Sequence, residues 1–197
     1  DPEATWRMDA YADSVAGLLS ELELAPAHLV GHSWGSSLAL ATHLRHPAVV
    51  RSLVLAGAYA GWGGSLTPEA VRQRLAFAQE VADQLEAGEA WDPTSMPGLF
   101  SHRISPEWRA RILETMRAIR PTATRTMAAA LAECDLRPAL TNVTVPTLLL
   151  AGEVDGRSRL SVGQALHAAI PGATFMVLPG LGHEMFAEDP QRCCEAI

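Results

Sequence analysis

The chain has 197 residues, of which 48% are hydrophobic and 19% are charged, a balance that suits a globular domain with a sizeable core. Its formal net charge of −7 argues against nucleic acid as a partner, because proteins that bind nucleic acids concentrate Lys and Arg on one face. No apolar run approaches the roughly 20 residues that a membrane helix needs, and no signal peptide opens the chain. We therefore expect no membrane partner and a cytoplasmic location.

The three cysteines offer neither a metal site nor a ready disulfide. Their number is odd, none has metal-ligand spacing, and the adjacent Cys193 and Cys194 could bridge only with strain. We interpret these two and Cys134 as free thiols in a reducing compartment. Because no cluster of His, Cys and Asp has ligand spacing anywhere in the sequence, we expect no metal and no other cofactor.

The chain opens with a pattern of alternating helices and strands. Residues 8–24 repeat apolar side chains at helical spacing before a proline ends the pattern. A short apolar strand follows at 28–32, then a helix at 36–46 that stops before another proline, and a second buried strand at 52–57. The first helix is expected to bury one face, formed by Met8, Tyr11, Val15, Leu18, Leu19 and Leu22.

Between residues 62 and 142 the pattern changes to helices alone. Two segments, Thr67-Pro68-Glu69 and Ser105-Pro106-Glu107, each supply a capping side chain, a proline at the first helical position and an acid in the first turn. A third helix follows them. We interpret 62–142 as a helical lid inserted into a core that is formed by residues 1–61 and 143–197.

The alternation of strand and helix resumes after this insertion. Strands are predicted at 146–152 and 174–178, with a helix at 160–170 between them and a last helix that starts at Asp189-Pro190. Strands separated by helices imply a parallel sheet with right-handed crossovers. The sequence therefore predicts an α/β fold, in which functional residues gather at the carboxyl ends of the strands.

One of these strand ends carries a serine between two glycines, in the segment Gly31-His32-Ser33-Trp34-Gly35. The pattern predicts a strand that turns sharply into a helix, with Ser33 at the apex and small neighbours that relieve the crowding. The Trp34 N–H at the helix start would point to where an acyl oxyanion forms. His32 points away from Ser33 by strand alternation, so we interpret it as a packing residue.

The other two strand ends carry an acid and a base. Asp155 follows the third strand and His183 follows the fourth, so Ser33, Asp155 and His183 occur in the order Ser, Asp, His. A serine hydroxyl is a poor nucleophile until an imidazole takes its proton, and the imidazole needs an acceptor that fixes its tautomer. These three residues are therefore our candidate catalytic residues.

Two other acids compete for the role of Asp155. Glu153 lies two residues before it, and Asp135 also lies near a strand. We interpret Asp135 as structural and paired with Arg137.

In three places the sequence resembles the α/β-hydrolase superfamily, in particular its small bacterial esterase and lactonase-like members. These are the turn Gly31-His32-Ser33-Trp34-Gly35, hereafter called the elbow, the run 148–155 and Gly180-Leu181-Gly182-His183. The resemblance implies a serine hydrolase that cleaves a carboxylic ester or lactone through an acyl-enzyme intermediate. It also implies that Ser33, Asp155 and His183 form the catalytic triad. The three motifs are specific for fold and triad, but not for substrate.

The resemblance implies a sheet of eight strands, of which the four found here match the fifth to the eighth. We therefore expect the sequence to be a fragment that lacks the N-terminal strands. Of the two backbone donors in the family's oxyanion hole, only the N–H of Trp34 can be assigned; the other is expected on a loop outside this sequence.

Specificity is expected to reside in the lid. Binding pockets are mostly apolar with a few polar anchors, so large apolar side chains of the insertion are candidate pocket walls. Such walls suit an ester or lactone with a small or medium apolar acyl group. The candidates are Trp62, Trp91, Phe100, Trp108, Met116 and Met127.

Other functions stay open on the same scaffold, namely carbon–carbon bond hydrolysis, acyl transfer and aminopeptidase activity. The run Ser33-Trp34-Gly35-Ser36 also resembles proline iminopeptidases, but those need acidic lid residues for the substrate amine. The lid acids Glu80, Asp83 and Glu86 follow the pattern of a solvated face instead. A non-catalytic ligand-binding relative is a third possibility, which an intact triad disfavours.

Overall fold

The computed structural model describes residues 6–89, 91–93 and 96–197. Within these ranges, four parallel strands form one sheet in the order β1-β2-β3-β4. Leucines and other apolar residues of the two central strands are buried, as is typical of a parallel sheet covered on its faces. The strands are β1 (Ala27–His32), β2 (Val50–Ala56), β3 (Thr147–Gly152) and β4 (Thr174–Leu178).

The helices precede, connect or follow these strands, and three of them lie between β2 and β3. Short 3-10 turns at Pro47–Val49 and Arg137–Asn142 lead into β2 and towards β3. The α-helices are α1 (Met8–Glu21), α2 (Trp34–Arg45), α3 (Pro68–Glu86), α4 (Pro106–Arg117), α5 (Pro121–Glu133), α6 (Leu160–Ala169), α7 (Met185–Glu188) and α8 (Pro190–Ala196). Only α7 was not predicted from the sequence.

The predicted start signals act as helix caps. The Thr67 hydroxyl accepts a hydrogen bond from the Ala70 N–H, and the Ser105 hydroxyl accepts one from the Trp108 N–H, both at 3.2 Å. The Asp189 carboxylate caps α8 in the same way. Each cap satisfies a backbone donor that the first turn of a helix leaves without a partner.

The buried face of α1 differs from the prediction. The helix buries Met8, Ala12 and Ala16, whereas Leu18 and Leu22 are 58% and 57% exposed. Small alanine side chains let α1 lie close to α2, and Leu18 lies about 200° around the helix from Ala16. The leucines therefore point away from that contact.

In the described part of the chain, no helix is both long and apolar enough to cross a membrane. All three cysteines are free thiols, as predicted. Cys134 and Cys193 are buried, and Cys194 is exposed.

Candidate active site

Ser33 lies at the sharp turn between β1 and α2. Its backbone has φ 53° and ψ −115°, which is an unfavourable conformation for a residue with a side chain. The Ser33 N–H donates to the carbonyl of Ala56 at the end of β2 (2.9 Å), and the Ser36 hydroxyl donates to the Ser33 carbonyl (2.5 Å). These bonds hold the turn in place, so the hydroxyl projects beyond the carboxyl end of the sheet.

The two flanking glycines have different roles. A Cβ on Gly31 would lie 2.3 Å from the carbonyl oxygen of Gly35, far inside van der Waals contact. A Cβ on Gly35 would meet no atom within 4 Å. The expectation that both glycines relieve crowding therefore holds for Gly31 alone, because β1 and the first turn of α2 touch there backbone to backbone.

A continuous chain of hydrogen bonds joins Ser33, His183 and Asp155. His183 Nε2 lies 2.9 Å from Ser33 Oγ, and His183 Nδ1 lies 2.9 Å from Asp155 Oδ2. The other carboxylate oxygen of Asp155 accepts from the N–H groups of Arg157 and Ser158, at 2.7 and 2.8 Å. The ends of β1, β3 and β4 thus bring together three residues that are far apart in sequence.

Burial sets the charge state of this chain of hydrogen bonds. His183 and Asp155 are 2% and 5% exposed. Burial lowers the pKa of His183, although Asp155 opposes the shift. Burial alone would raise the pKa of Asp155, but hydrogen bonds from His183 and the Ser158 and Arg157 amides outweigh it and lower that pKa. A neutral imidazole beside a carboxylate is the result near neutral pH.

Gly57 makes room for the imidazole of His183. This role of Gly57 was not predicted from the sequence. Its φ is +53°, and a Cβ there would lie 3.2 Å from His183 Cε1. Its position could have indicated this role, because Gly57 directly follows β2 at the sheet edge where functional side chains gather.

His32 contacts both the backbone and the ring of His183. Its Nε2–H donates to the His183 carbonyl at 2.8 Å, and the two ring centroids lie 4.9 Å apart. Burial lowers the pKa of His32. It packs as expected, but it also lines the cavity described below, because the turn at Ser33 breaks the alternation of the strand.

Trp34 connects the turn to the insertion. It is the first residue of α2, and the first N–H groups of a helix have no acceptor within the helix. Its indole N–H donates to the Met127 carbonyl on α5 at 3.0 Å, and its ring packs edge-on against Tyr11.

A cavity of about 860 Å³ opens above Ser33 and His183. Phe100 and Trp108 do not line it, in contrast to the expectation. The guanidinium of Arg109 lies over the Phe100 ring, and Trp108 is 41% exposed on α4 beside Arg111. The four predicted wall residues that do line the cavity are Trp62, Trp91, Met116 and Met127.

Charged residues on the same wall were not predicted. They are Arg74 of α3, Arg157 and Glu184. Arg74 could have been found, because it lies three residues after Val71 and four before Ala78, on the apolar face of its helix. No pattern in the sequence around Arg157 predicts that it lies on the cavity wall.

The competing acids have other partners. The Asp135 carboxylate pairs with Arg137 at 2.6 and 2.9 Å, as predicted. The Glu153 carboxylate accepts from the Gly180 N–H at 2.8 Å. With Asp135 and Glu153 bonded elsewhere, Asp155 is the carboxylate on the His183 ring.

The acids considered for binding a substrate amine also have a partner. Arg125 of α5 is bonded to both Asp83 and Glu86 of α3.

The described residues contain no group of three or more His, Cys, Asp or Glu side chains that could hold a metal ion.

The family model described as "Alpha/beta hydrolase family" matches residues 1–196. The chain belongs to the alpha/beta hydrolase family. This result confirms both the predicted fold class and the resemblance seen in the sequence motifs, and it makes the protein a member of a hydrolase family.

Individual members show the same likeness. A 2-(acetamidomethylene)succinate hydrolase of Mesorhizobium japonicum is 28% identical over 202 residues, which cover 100% of this chain and 71% of that protein. An alpha/beta hydrolase superfamily protein of Bacillus subtilis, YisY, is 29% identical over 191 residues, 93% of this chain and 69% of that one. A solved thermophilic esterase from Thermogutta terrifontis, with malate bound, has a TM-score of 0.83 and 28% identity, and the match covers 97% of this chain and 70% of that one.

Proposed function

We propose that this alpha/beta hydrolase is a serine hydrolase that cleaves a carboxylic ester or lactone through an acyl-enzyme intermediate. The observation that carries the proposal is the hydrogen-bonded chain from Asp155 through His183 to Ser33 at the floor of the cavity. This arrangement of nucleophile, base and orienting acid meets the geometric requirements for nucleophilic acyl transfer.

In the first step Ser33 Oγ attacks the carbonyl carbon of the substrate. His183 Nε2 accepts the hydroxyl proton as the new C–O bond forms, and Asp155 stabilises the resulting imidazolium through Nδ1–H. The neutral form of His183 is required here, and burial favours it by lowering its pKa. The imidazolium then gives its proton to the leaving oxygen as the bond to that oxygen breaks.

The negative charge that develops on the carbonyl oxygen needs a donor. The backbone N–H of Trp34 is our candidate, because it stands at the N-terminus of α2, directly after the nucleophile. In the second step His183 takes a proton from a water molecule, whose oxygen attacks the carbonyl carbon of the acyl-enzyme. The bond between that carbon and Ser33 Oγ then breaks, His183 returns the proton to Oγ, and the acid is released.

The segment 62–142 is proposed to act as the lid that shapes the substrate pocket. The Trp34 indole bond to Met127 attaches it to the nucleophile turn, and Trp62, Trp91 and Met116 provide apolar surface above that turn. An apolar wall of this kind excludes water and binds the carbon skeleton of a substrate.

Relatives with this fold have names that refer to different bonds. The Thermogutta terrifontis protein is named an esterase, and the Mesorhizobium japonicum protein is named for 2-(acetamidomethylene)succinate. A substrate panel therefore has to include amides. An aminopeptidase is disfavoured because Asp83 and Glu86 are already paired with Arg125 and so do not offer a free site for an amine.

The test combines a fluorophosphonate probe with a panel of 4-nitrophenyl esters, lactones and aminoacyl arylamides. The purified protein should be labelled on Ser33 and should hydrolyse esters or lactones faster than arylamides. Ser33→Ala should lose both properties. The matched control is Ser161→Ala, since Ser161 is an exposed serine on α6.

Each contrary result would be informative. A protein that binds esters without labelling or turnover would be a non-catalytic relative. Preferred cleavage of the arylamides would replace the ester proposal with a peptidase. Ser33→Ala that kept most of the esterase activity would move the nucleophile elsewhere.

A further inference from the structure

Two arginines lie on the wall of the cavity above Ser33. Arg74 comes from α3 and Arg157 from the loop after β3, two residues beyond Asp155. The rest of the wall is largely apolar, as a pocket for a neutral acyl chain would be. Two guanidinium groups in such a cavity are unnecessary for binding a neutral ester, and therefore need an explanation.

The contacts of Arg74 hold it in place while leaving it cationic. It donates to the Tyr59 hydroxyl at 3.1 Å and to the Arg157 carbonyl at 2.7 Å. Its guanidinium also lies over the rings of Tyr59 and Trp62, 5.4 and 5.2 Å from their centroids. All these partners are neutral, so they orient the side chain and do not cancel its charge.

Arg157 has fewer bonds. Its guanidinium donates to the Pro97 carbonyl at 3.4 Å, a weak contact. Elsewhere Arg45, Arg125 and Arg137 each pair with Asp or Glu. Among the described residues, by contrast, neither Arg74 nor Arg157 forms an ion pair. A guanidinium offers several N–H donors, so both arginines retain donors for a ligand.

The electrostatics of the wall favour an anion. Burial lowers the pKa of Arg157, and the positive charge of Arg74 contributes to the same shift, while Asp155 and Glu184 oppose it. Glu184 is the carboxyl group on this wall, and burial raises its pKa although His183 and Arg157 oppose that shift. Arg157 is half-buried, and a charge that is partly withdrawn from water is costly unless it is paired. A carboxylate of the substrate would supply the missing partner, and guanidinium groups bind carboxylates with matching geometry.

We propose that Arg157 and Arg74 form a carboxylate-binding subsite, so that the substrate is an ester or lactone that carries a second, anionic carboxylate away from the bond that is cleaved. The inference rests on the proposed function, whose substrate class it narrows. Arg157 binds the anion directly, and Arg74 binds it as well and holds the backbone of Arg157 in place. The apolar wall then contacts the carbons between the carboxylate and the scissile bond.

The test compares charged and neutral esters in matched pairs. 4-Nitrophenyl hydrogen adipate against 4-nitrophenyl methyl adipate places the carboxylate on the acyl side. 4-Carboxyphenyl butyrate against 4-carbamoylphenyl butyrate places it on the leaving group. Spontaneous hydrolysis is subtracted in each case. We expect kcat/KM to favour the charged member of one pair by on the order of 10- to 100-fold, mainly through KM.

The variants identify the side chain responsible. Arg157→Met should bring the ratio of charged to neutral kcat/KM close to one, and Arg157→Lys should restore part of it. The matched controls are Arg159→Met and Arg72→Met, which change exposed arginines two residues from Arg157 and from Arg74. Both controls should keep the wild-type ratio. Circular dichroism verifies that each variant is folded.

A binding measurement separates failure of the subsite from failure of the proposed chemistry. Adipate dianion should bind the wild-type protein in a calorimetric titration, and Arg157→Met should weaken that binding by 10-fold or more, on the order expected for charge-assisted hydrogen bonds. Ester turnover that depends on Ser33 but shows equal kcat/KM within both pairs would overturn the subsite and leave the serine hydrolase intact. Arg157-dependent adipate binding without turnover or probe labelling would support the subsite and overturn the proposed function. Absence of both adipate binding and charge preference would overturn the subsite.

Discussion

The glycines on either side of Ser33 offer a matched pair of substitutions, Gly31→Ala and Gly35→Ala. A Cβ on Gly31 would lie 2.3 Å from the carbonyl oxygen of Gly35, 2.6 Å from its carbonyl carbon and 2.8 Å from Ser36 Cα. All three are backbone atoms, so no rotamer change can relieve the clash. Strand β1 and the first turn of α2 would have to separate by about 1 Å to reach ordinary contact distances.

This separation should affect both stability and turnover. Forcing an extra methyl group into a packed site typically costs about 1–3 kcal/mol of unfolding free energy. It would also move Ser33 relative to His183, and a displacement of about 1 Å can reduce turnover by about 100-fold. Gly35→Ala should behave differently, because its Cβ enters open space and alanine is favoured over glycine in a helix by up to about 1 kcal/mol.

Urea unfolding and initial rates at equal folded concentration measure these effects, with fluorophosphonate labelling to count reactive serines. We expect Gly31→Ala to be destabilised and slow, and Gly35→Ala to resemble the wild type or exceed it in stability. The reasoning would be refuted if Gly31→Ala matched the wild type in both measurements. It would also be refuted if the two variants were equally damaged.

Three further predictions concern the histidines and Asp155. His183→Ala should reduce kcat/KM by on the order of 10⁴-fold or more, because the residues of a triad act as a unit; a small loss would exclude His183 as the base. Since burial lowers the pKa of His183, the acidic limb of the pH–rate profile should have its midpoint below about 6.5, and a midpoint above 7 would contradict this. Asp155→Asn should lose somewhat less activity than His183→Ala. Its acidic midpoint should be lower than that of the wild type, because the carboxylate that stabilises the imidazolium is gone. Burial also lowers the pKa of His32 and His43 in the folded protein. As the pH falls below about 6.5, these histidines are therefore protonated in the unfolded chain before they are protonated in the folded one, and the free energy of unfolding should decrease. Urea unfolding at about pH 8 and about pH 5.5 tests this, and equal unfolding free energies would refute it.

Much of the fold follows from local signals in the sequence. Thr67, Ser105 and Asp189 cap helices because a short polar side chain can reach backbone donors within its own turn, whatever the rest of the chain does. The order of strands and helices is equally local in origin. Because parallel strands end at one edge of a sheet, Ser33 and His183 could be expected to meet there before their distance was known.

The choice among Asp135, Glu153 and Asp155 needed more than this pattern. Glu153 and Asp155 both follow β3 within three residues, whereas Asp135 follows α5. The Asp155 carboxylate is the one that contacts the His183 ring, because the loop after β3 turns back and fixes it with two backbone N–H groups. The direction of a side chain in a loop depends on such hydrogen bonds, which a sequence pattern does not contain.

The sequence by itself determined the fold class, the four strands, every α-helix except α7, and the elbow that carries Ser33, because each depends on residues close together in the chain. Only the tertiary structure decided what surrounds Ser33. Phe100 and Trp108 are large apolar side chains of the kind that line pockets, but they do not line this cavity. Arg74 and Arg157 do line it, although they are 83 positions apart in sequence. Helical periodicity defines the faces of α3 and α4 but not which neighbour each face meets. That is fixed by how α3, α4 and α5 pack against one another and against the rest of the chain.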